Sequence, residues 1–84
     1  MPQPFKTLLR HRRHELGKTQ REVAATCEVT PDFISLLETG RRRISLDRIP
    51  ALASALELDP TALAHLVLEE RAPRFAALWK EQAA

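Results

Sequence analysis

The chain has 84 residues, a formal net charge of +2 and a single cysteine, and 44% of its residues are hydrophobic. This length fits one domain with a modest core and excludes a large enzyme with its own cofactor domain. The single cysteine excludes an internal disulfide framework and a cysteine-rich zinc fold. Because the chain lacks an apolar stretch of about 20 residues and the apolar core of a secretory signal, we expect a soluble, cytoplasmic protein.

Residues that start and stop helices divide the chain into five or six short helices, with no alternating pattern typical of a strand. The first helix is predicted over about residues 4–15, with Gly17 as its left-handed stop. Thr19 and Glu22 form a capping box, in which each side chain satisfies a free backbone N–H. They start a second helix that is predicted to end near Thr26.

The next two helices follow the same pattern of caps and stops. Thr30 is a good N-cap for a third helix, predicted over residues 31–38. Ser45 is predicted to cap a fourth helix that runs to about Glu57. Pro50 would then lie inside this helix, where it should remove one hydrogen bond and bend the first turn.

Asp59 and Pro60 combine a cap with a first helical proline, and they predict a fifth helix that ends near Arg71. A short apolar stripe beyond it indicates a sixth helix. The sequence therefore predicts an all-α domain over residues 1–72, followed by a short helix or tail over residues 73–84. The apolar positions expected to face the core are Phe5, Leu8, Leu9, Leu16, Val23, Ala24, Ile34, Leu37, Ile49, Leu52, Ala53, Leu56, Leu63, Leu66 and Val67.

The basic residues are unevenly distributed along the chain. Residues 1–48 carry ten Lys or Arg and six Asp or Glu, whereas residues 49–84 carry three and five. This asymmetry fits either a surface that faces a polyanion or an ordinary solvated helix face.

The second and third helices and their short connection occupy residues 19–40, an arrangement that lets the third helix project into the major groove of DNA. This segment resembles the helix-turn-helix of the Cro/CI-type, or XRE, family of phage repressors, and the resemblance covers roughly residues 5–68. It implies a lambda-repressor-like fold that binds double-stranded DNA. The matching positions are Gln20, Val23, Ala24, Val29, Thr30, Ile34, Ser35, Glu38, Gly40 and residues 50–56.

The resemblance implies two roles outside the exposed face of the third helix. Gln20 would hold a backbone phosphate at the start of the second helix, where free N–H groups favour an anion. The alternative is an ordinary residue at a helix start. Arg13 and Glu38 would form a partly buried ion pair between the first and third helices, and the alternative is two solvated charges.

The third helix and the segment after it would carry the remaining DNA contacts. Asp32 can accept from a cytosine amino group and Leu36 can touch a thymine methyl, whereas Phe33 either does the same or packs on the core. The three arginines after the helix either contact phosphates or form a solvated loop. The implied DNA-binding residues are Gln20, Arg21, Thr30, Pro31, Asp32, Phe33, Ser35, Leu36, Arg41, Arg42 and Arg43.

Some residues depart from the family pattern or carry no predicted chemistry. Glu28 stands in the turn where the family often has glycine, and a left-handed glutamate costs roughly 1 kcal/mol. Cys27 is expected to be a small buried hydrophobe. His11, His14 and His65 are expected on helix surfaces, with no metal site and no cofactor.

The expected function is transcriptional regulation by a homodimer that represses at a near-palindromic operator. The apolar C-terminal residues either form the dimer interface or fold back onto the core of the same chain. A rival hypothesis is a protein-binding module such as an antitoxin, in which this surface covers a partner protein and DNA binding is secondary. No catalytic pattern indicates an enzyme. The expected dimer contacts are Leu66, Leu68, Phe75, Leu78 and Trp79.

Overall fold

The structure is a computed structural model that describes residues 3–82, with side chains described for residues 3–79. The ends of the two predicted segments, residues 1–2 and 83–84, lie outside the described residues. Within the described chain the protein is helical and contains no strand, which confirms the all-α prediction. The helices are α1 (Phe5–Glu15), α2 (Gln20–Cys27), α3 (Pro31–Glu38), α4 (Ile49–Ala55), α5 (Pro60–Arg71) and α6 (Pro73–Gln82), with a 3₁₀ turn (Leu46–Arg48) before α4.

Local hydrogen bonds start three of the helices as predicted. At α2, Thr19 Oγ1 accepts from the backbone N–H of Glu22 at 3.1 Å, and Glu22 Oε1 accepts from the N–H of Thr19 at 3.2 Å. Thr30 Oγ1 accepts a backbone N–H of α3 at 3.1 Å, and Asp59 Oδ2 does the same for α5 at 2.8 Å. Each cap satisfies an N–H that the helix itself leaves without a partner.

The predicted start of α4 is wrong, whereas its end lies within two residues of the prediction. Ser45 makes no side-chain cap, a 3₁₀ turn intervenes, and α4 begins only at Ile49. Pro50 therefore lies in the first helical turn, where a backbone N–H has no helical acceptor, so the proline removes no hydrogen bond. At the other end the helix stops at Ala55, and Glu57 has a left-handed φ of +54°.

One apolar core joins α1 to α5. α2 packs against α3 and α4, while α1 packs against α3 and α5. Of the predicted core positions, Phe5, Leu8, Leu16 and Leu66 are only half-buried, and the others are buried. The buried core residues are Leu9, Val23, Ala24, Cys27, Ile34, Leu37, Ile44, Ile49, Leu52, Ala53, Ala55, Leu56, Leu63 and Val67.

Cys27 lies in this core, as predicted for a small hydrophobe. Burial raises the pKa of its thiol, and the charge of Arg48 partly offsets that rise. The thiol is therefore held in its neutral form, which packs like an apolar side chain.

Several cations close the C-termini of helices. Lys18 Nζ donates to the carbonyl of Ala55 at 2.6 Å, and Arg12 Nε donates to the carbonyl of Leu56 at 2.9 Å. Arg48 Nη1 donates to the last carbonyl of α2 at 2.9 Å. Positive charge at a helix C-terminus satisfies free carbonyls and complements the helix dipole. These three side chains are therefore structural.

Glu28, the first residue of the turn between α2 and α3, has a left-handed φ of +57°. We expect Glu28→Gly to raise the free energy of unfolding by about 0.5–1 kcal/mol, because relief of the left-handed strain exceeds the added entropy of the unfolded chain. Chemical denaturation measures this change. As a control, Ala25→Gly within α2 should lower stability by about 1 kcal/mol. A Glu28→Gly variant less stable than the parent would show that this turn carries no strain.

Candidate nucleic-acid interface

The connection between α2 and α3 is short and closed by its own backbone hydrogen bonds. The N–H of Glu28 donates to the carbonyl of Ala25 at 3.3 Å, and the N–H of Val29 donates to the carbonyl of Ala24 at 3.0 Å. Val29 also packs against the core. These contacts fix the start of α3 relative to α2, so the two helices form one structural unit.

α3 buries one face and leaves the opposite face accessible. Ile34 and Leu37 are almost fully buried, with 1% of each exposed. Asp32, at the start of the helix, is exposed, whereas Ser35 and Leu36 are half-buried. The open face can therefore offer a carboxylate, a hydroxyl and a methyl-bearing side chain to a ligand.

Two neighbours extend this face at its ends. Pro31 is the first residue of α3 and is exposed, and Thr30 before it is occupied as the N-cap. Thr39, at the far end, is exposed and lies seven residues, or about two helical turns, after Asp32. Thr39 was not among the predicted residues, although its spacing of seven residues from Asp32 indicates the same face of the helix.

Phe33 occupies an intermediate position between the core and the open face. It is half-buried and packs against the core residues. The guanidinium carbon of Arg42 lies 6.0 Å from the centroid of its ring. This geometry favours the core-packed alternative for Phe33, and it gives the ring a second role in holding Arg42 beside α3.

Arg13 and Glu38 form a bidentate ion pair between α1 and α3. Arg13 Nε donates to Glu38 Oε2 at 2.7 Å, and Arg13 Nη2 donates to Glu38 Oε1 at 3.1 Å. Only 10% of the Arg13 side chain and 4% of the Glu38 side chain are exposed. Arg13 also donates to the carbonyl of Lys18 at 3.0 Å and to His14 Nε2 at 3.2 Å. The pair thus ties the C-terminal end of α3 to the body of the protein.

Gln20 joins this pair. Its Nε2 donates to Glu38 Oε1 at 3.2 Å, and the residue is half-buried at the first position of α2. Burial raises the pKa of the Glu38 carboxyl, but hydrogen bonds from Arg13 and Gln20 and the charges of Arg13 and Arg10 hold it below its ordinary value of 4.5. The carboxylate is therefore ionised at neutral pH. Arg21, the next residue of α2, is exposed.

The arginine loop, which consists of Arg41, Arg42 and Arg43, directly follows α3 and is exposed. The N–H groups of Arg41 and Arg42 both donate to the carbonyl of Leu36, at 2.9 and 3.3 Å. Gly40 before the loop has a φ of +77°, a conformation that favours glycine. The loop backbone is therefore anchored to α3, while its guanidinium groups remain accessible beside the open face.

The expected dimer residues lie on α5 and α6. Leu66 and Leu68 are half-buried, whereas Phe75 and Leu78 are each 53% exposed and Trp79 is 39% exposed. α6 begins at Pro73, the first residue of the predicted C-terminal segment, and packs against α5. The helix thus folds back onto its own chain and still leaves an apolar face open.

Trp79 lies at the junction of α5 and α6. Its ring centroid is 5.3 Å from that of His65, which is half-buried, and 5.2 Å from that of Phe75 in an edge-to-face arrangement. A groove of about 320 Å³ extends from Trp79 towards Leu46, which is 51% exposed. The apolar surface of α6 is therefore continuous with the start of α4.

Comparison with known proteins decides the family. The sequence model of a helix-turn-helix domain matches residues 7–66. The chain belongs to this helix-turn-helix family. The match confirms the resemblance predicted from the sequence. Comparison with curated proteins gives no significant match.

Solved structures agree with this assignment. The restriction-modification controller protein C.AhdI from Aeromonas hydrophila is 32% identical, with a TM-score of 0.64 over 70% of this chain and 86% of that chain. The clp gene regulator ClgR from Corynebacterium glutamicum is 25% identical, with a TM-score of 0.66 over 94% of this chain and 84% of that chain. This helix-turn-helix protein is thus a DNA-binding transcription regulator.

Helix-turn-helix domains bind double-stranded DNA through the second helix of the motif, which here is α3. None of the helices within residues 3–82 has the length and apolar character that crossing a lipid bilayer requires. In the same part of the chain, no three His, Cys, Asp or Glu side chains gather in a way that could hold a metal ion.

Proposed function

We propose that this helix-turn-helix protein is a repressor that binds a near-palindromic operator as a homodimer. α3 of each protomer enters the major groove of one half-site, and the half-site centres lie about 34 Å apart. Repression follows from occupancy, because the bound dimer blocks access of other proteins to the same DNA.

The observation that carries this proposal is the open face of α3 beside the anchored arginine loop. A positively charged, accessible loop next to a helix that fits the groove supplies both requirements of DNA recognition, phosphate contact and base contact. Both parts are fixed to one rigid unit by the turn, the Leu36 carbonyl and the ion pair with Glu38. Their relative position is therefore set before DNA binds.

We assign base reading to the open face of α3. Asp32 accepts from the amino group of a cytosine, and Leu36 contacts a thymine methyl. The Ser35 hydroxyl bonds to a donor or to an acceptor on a base edge. Phe33 contributes by positioning Arg42. Pro31 and Thr30 lie at the end of the helix that approaches the backbone.

We assign phosphate contact to the arginine loop, to Arg21 and to the N-terminus of α2. The Gln20 amide nitrogen is bonded to Glu38. The attraction for the phosphate therefore comes from the free backbone N–H groups in the first turn of α2, and Gln20 positions this turn.

The apolar face of α6 supports a homodimer. Phe75, Leu78 and Trp79 are exposed together on one short helix, and a clustered apolar surface of this kind is typical of a protein interface. Leu66 and Leu68 extend it onto α5. In the proposed dimer a two-fold axis passes through this surface and relates the two copies of α3 to each other, as the two halves of a palindrome are related.

The double substitution Phe75→Ser and Leu78→Ser tests the dimer. We expect sedimentation to show a monomer at concentrations where the parent is a dimer, and operator affinity to fall at least about 100-fold, since each half-site is then bound alone. Arg74→Ser on the same helix is the matched control and should change neither measurement. A double variant that stays dimeric with parental helicity would contradict this interface.

The same surface favours a second candidate function, a protein-binding module such as an antitoxin whose DNA binding is secondary. In that case α6 covers a partner protein, and the double variant retains both its oligomeric state and its affinity for DNA. A small toxin-like reading frame beside the gene would support this alternative, whereas a restriction enzyme or phage operon would weaken it.

A further inference from the structure

A second basic site adjoins the arginine loop on the side of α1 and α5. A cleft of about 270 Å³ runs between the N-terminal end of α1, the arginine loop and the C-terminal end of α5. Four cations line it against a single carboxylate, and Phe5, Leu37 and Val67 give it an apolar wall. The cations are Lys6, Arg42, Arg43 and Arg71. We refer to it as the α1–α5 cleft.

The one carboxylate of the cleft is already engaged. Glu70 Oε1 accepts from the backbone N–H of Phe5 at 2.8 Å. Pro4, the residue before α1, provides no side-chain cap, so Glu70 reaches across from α5 to supply it. The negative charge of Glu70 is thus directed to the end of α1, which leaves the cations of the cleft in excess.

The cations are held in place by contacts that leave part of each group accessible. Arg71 Nη2 donates to the carbonyl of Ile44, which fixes its guanidinium at the edge of the arginine loop. The Lys6 side chain lies over Gly40, where a methyl group would come within 3.1 Å of Lys6 Cδ. Lys6 and Arg43 are exposed, and Arg71 is half-buried.

Arg71 and Arg43 also lie close enough to repel each other. Burial lowers the pKa of Arg71, the charge of Arg43 lowers it further, and Glu70 opposes the shift. The Glu70 carboxylate is bonded to the N–H of Phe5. A phosphate between the two guanidinium groups would bring further negative charge to this space and relieve the repulsion.

From this geometry we propose that the α1–α5 cleft binds a phosphate group between Lys6, Arg43 and Arg71. Guanidinium groups match a phosphate through paired N–H donors, and a lysine adds a mobile positive charge. The phosphate belongs either to the DNA backbone beyond the arginine loop or to a small phosphorylated molecule. Binding of a DNA phosphate in the cleft rests on the proposed DNA contacts of the arginine loop, whereas binding of a small phosphorylated molecule is independent of them.

Titration of the full-length, DNA-free protein with inorganic phosphate tests the site. We expect saturable NMR shifts at the backbone amides of Phe5 and Ile44, at ionic strength matched with chloride. Lys6→Gln and Arg71→Gln should each weaken phosphate binding at least fivefold. Arg74→Gln on α6 is the control and should leave it unchanged. Arg71→Gln also removes the bond to the Ile44 carbonyl and can disturb the fold. Lys6→Gln leaves that bond in place and keeps the test valid.

The salt dependence of duplex binding separates the two sources. If a DNA phosphate fills the cleft, Lys6→Gln lowers the slope of log affinity against log salt by about 0.9. If a small molecule fills it, phosphate binding weakens in the variants and the DNA slope stays parental. Two results together would overturn the proposal. The NMR shifts on phosphate titration would fail to saturate or would be equal in the parent and in the Lys6→Gln and Arg71→Gln variants, and the salt slope of duplex binding would be the same in the parent and in Lys6→Gln. Failure to find a palindromic operator leaves the phosphate titration interpretable.

Discussion

Glu38→Ala is expected to lower the free energy of unfolding by about 3–5 kcal/mol, because it leaves the Arg13 guanidinium buried without its counter-charge. The expectation rests on the burial of both partners and on the bidentate contact. Gln20 also loses its acceptor. Denaturant unfolding followed by circular dichroism measures the change. Glu15→Ala, an exposed carboxylate on α1, is the control and should alter stability by less than about 0.5 kcal/mol.

The same carboxylate gives the protein a specific acid sensitivity. The folded pKa of Glu38 is below the ordinary value of 4.5 that applies when the chain is unfolded. Between these two values the unfolded state binds more protons, so this contribution to stability is present above about pH 4.5 and is lost as the pH falls through the folded pKa. Glu38→Gln should remove this part of the acid dependence. A loss below about 1 kcal/mol for Glu38→Ala, with an unchanged acid profile, would place the pair among ordinary surface ion pairs.

Replacing Arg41, Arg42 and Arg43 together with alanine is expected to weaken binding to every duplex sequence by about 100- to 2,000-fold at low salt. Three lost phosphate contacts of about 1–1.5 kcal/mol each give this range. The slope of log affinity against log salt should fall by up to about 3, since about 0.9 counterion is released for each neutralised phosphate. Fluorescence anisotropy at several salt concentrations gives both quantities.

Substitutions on the open face of α3 provide the contrast. Asp32→Ala and Leu36→Ala should change which sequence is preferred and leave the salt slope near its parental value. If the arginine variant instead altered sequence preference while its salt slope stayed constant, the division between phosphate contact and base reading would be wrong. Thermal unfolding of each variant separates a loss of contact from a loss of fold.

The sequence predicts those features that depend on neighbouring residues. The caps of α2, α3 and α5 follow from a polar side chain three residues away from the backbone N–H that it accepts. Gly17 and Gly40 adopt the left-handed backbone expected at helix ends, with φ of +67° and +77°. The family resemblance added the partners Arg13 and Glu38, which lie on different helices.

Features that depend on distant parts of the chain were not predicted. The late start of α4 is an exception, because it depends on nearby residues: a 3₁₀ turn and the preference of Pro50 for a first helical turn outweigh the capping tendency of Ser45. The bonds from Arg12 and Lys18 to the end of α4, and from Glu70 to the start of α1, join residues far apart in sequence. The packing of the helices thus decides which basic side chains cap a helix and which remain accessible.

The most direct test of operator recognition by α3 is selection of bound sequences from a random duplex pool at near-physiological salt. The proposed dimer predicts recovery of a near-palindrome whose half-site centres are one helical turn apart, about 34 Å. The same pool with the Phe75→Ser, Leu78→Ser variant should give weaker enrichment. If folded, helical protein enriches no sequence, operator recognition by α3 is contradicted. The function would then be binding of a protein partner by α6.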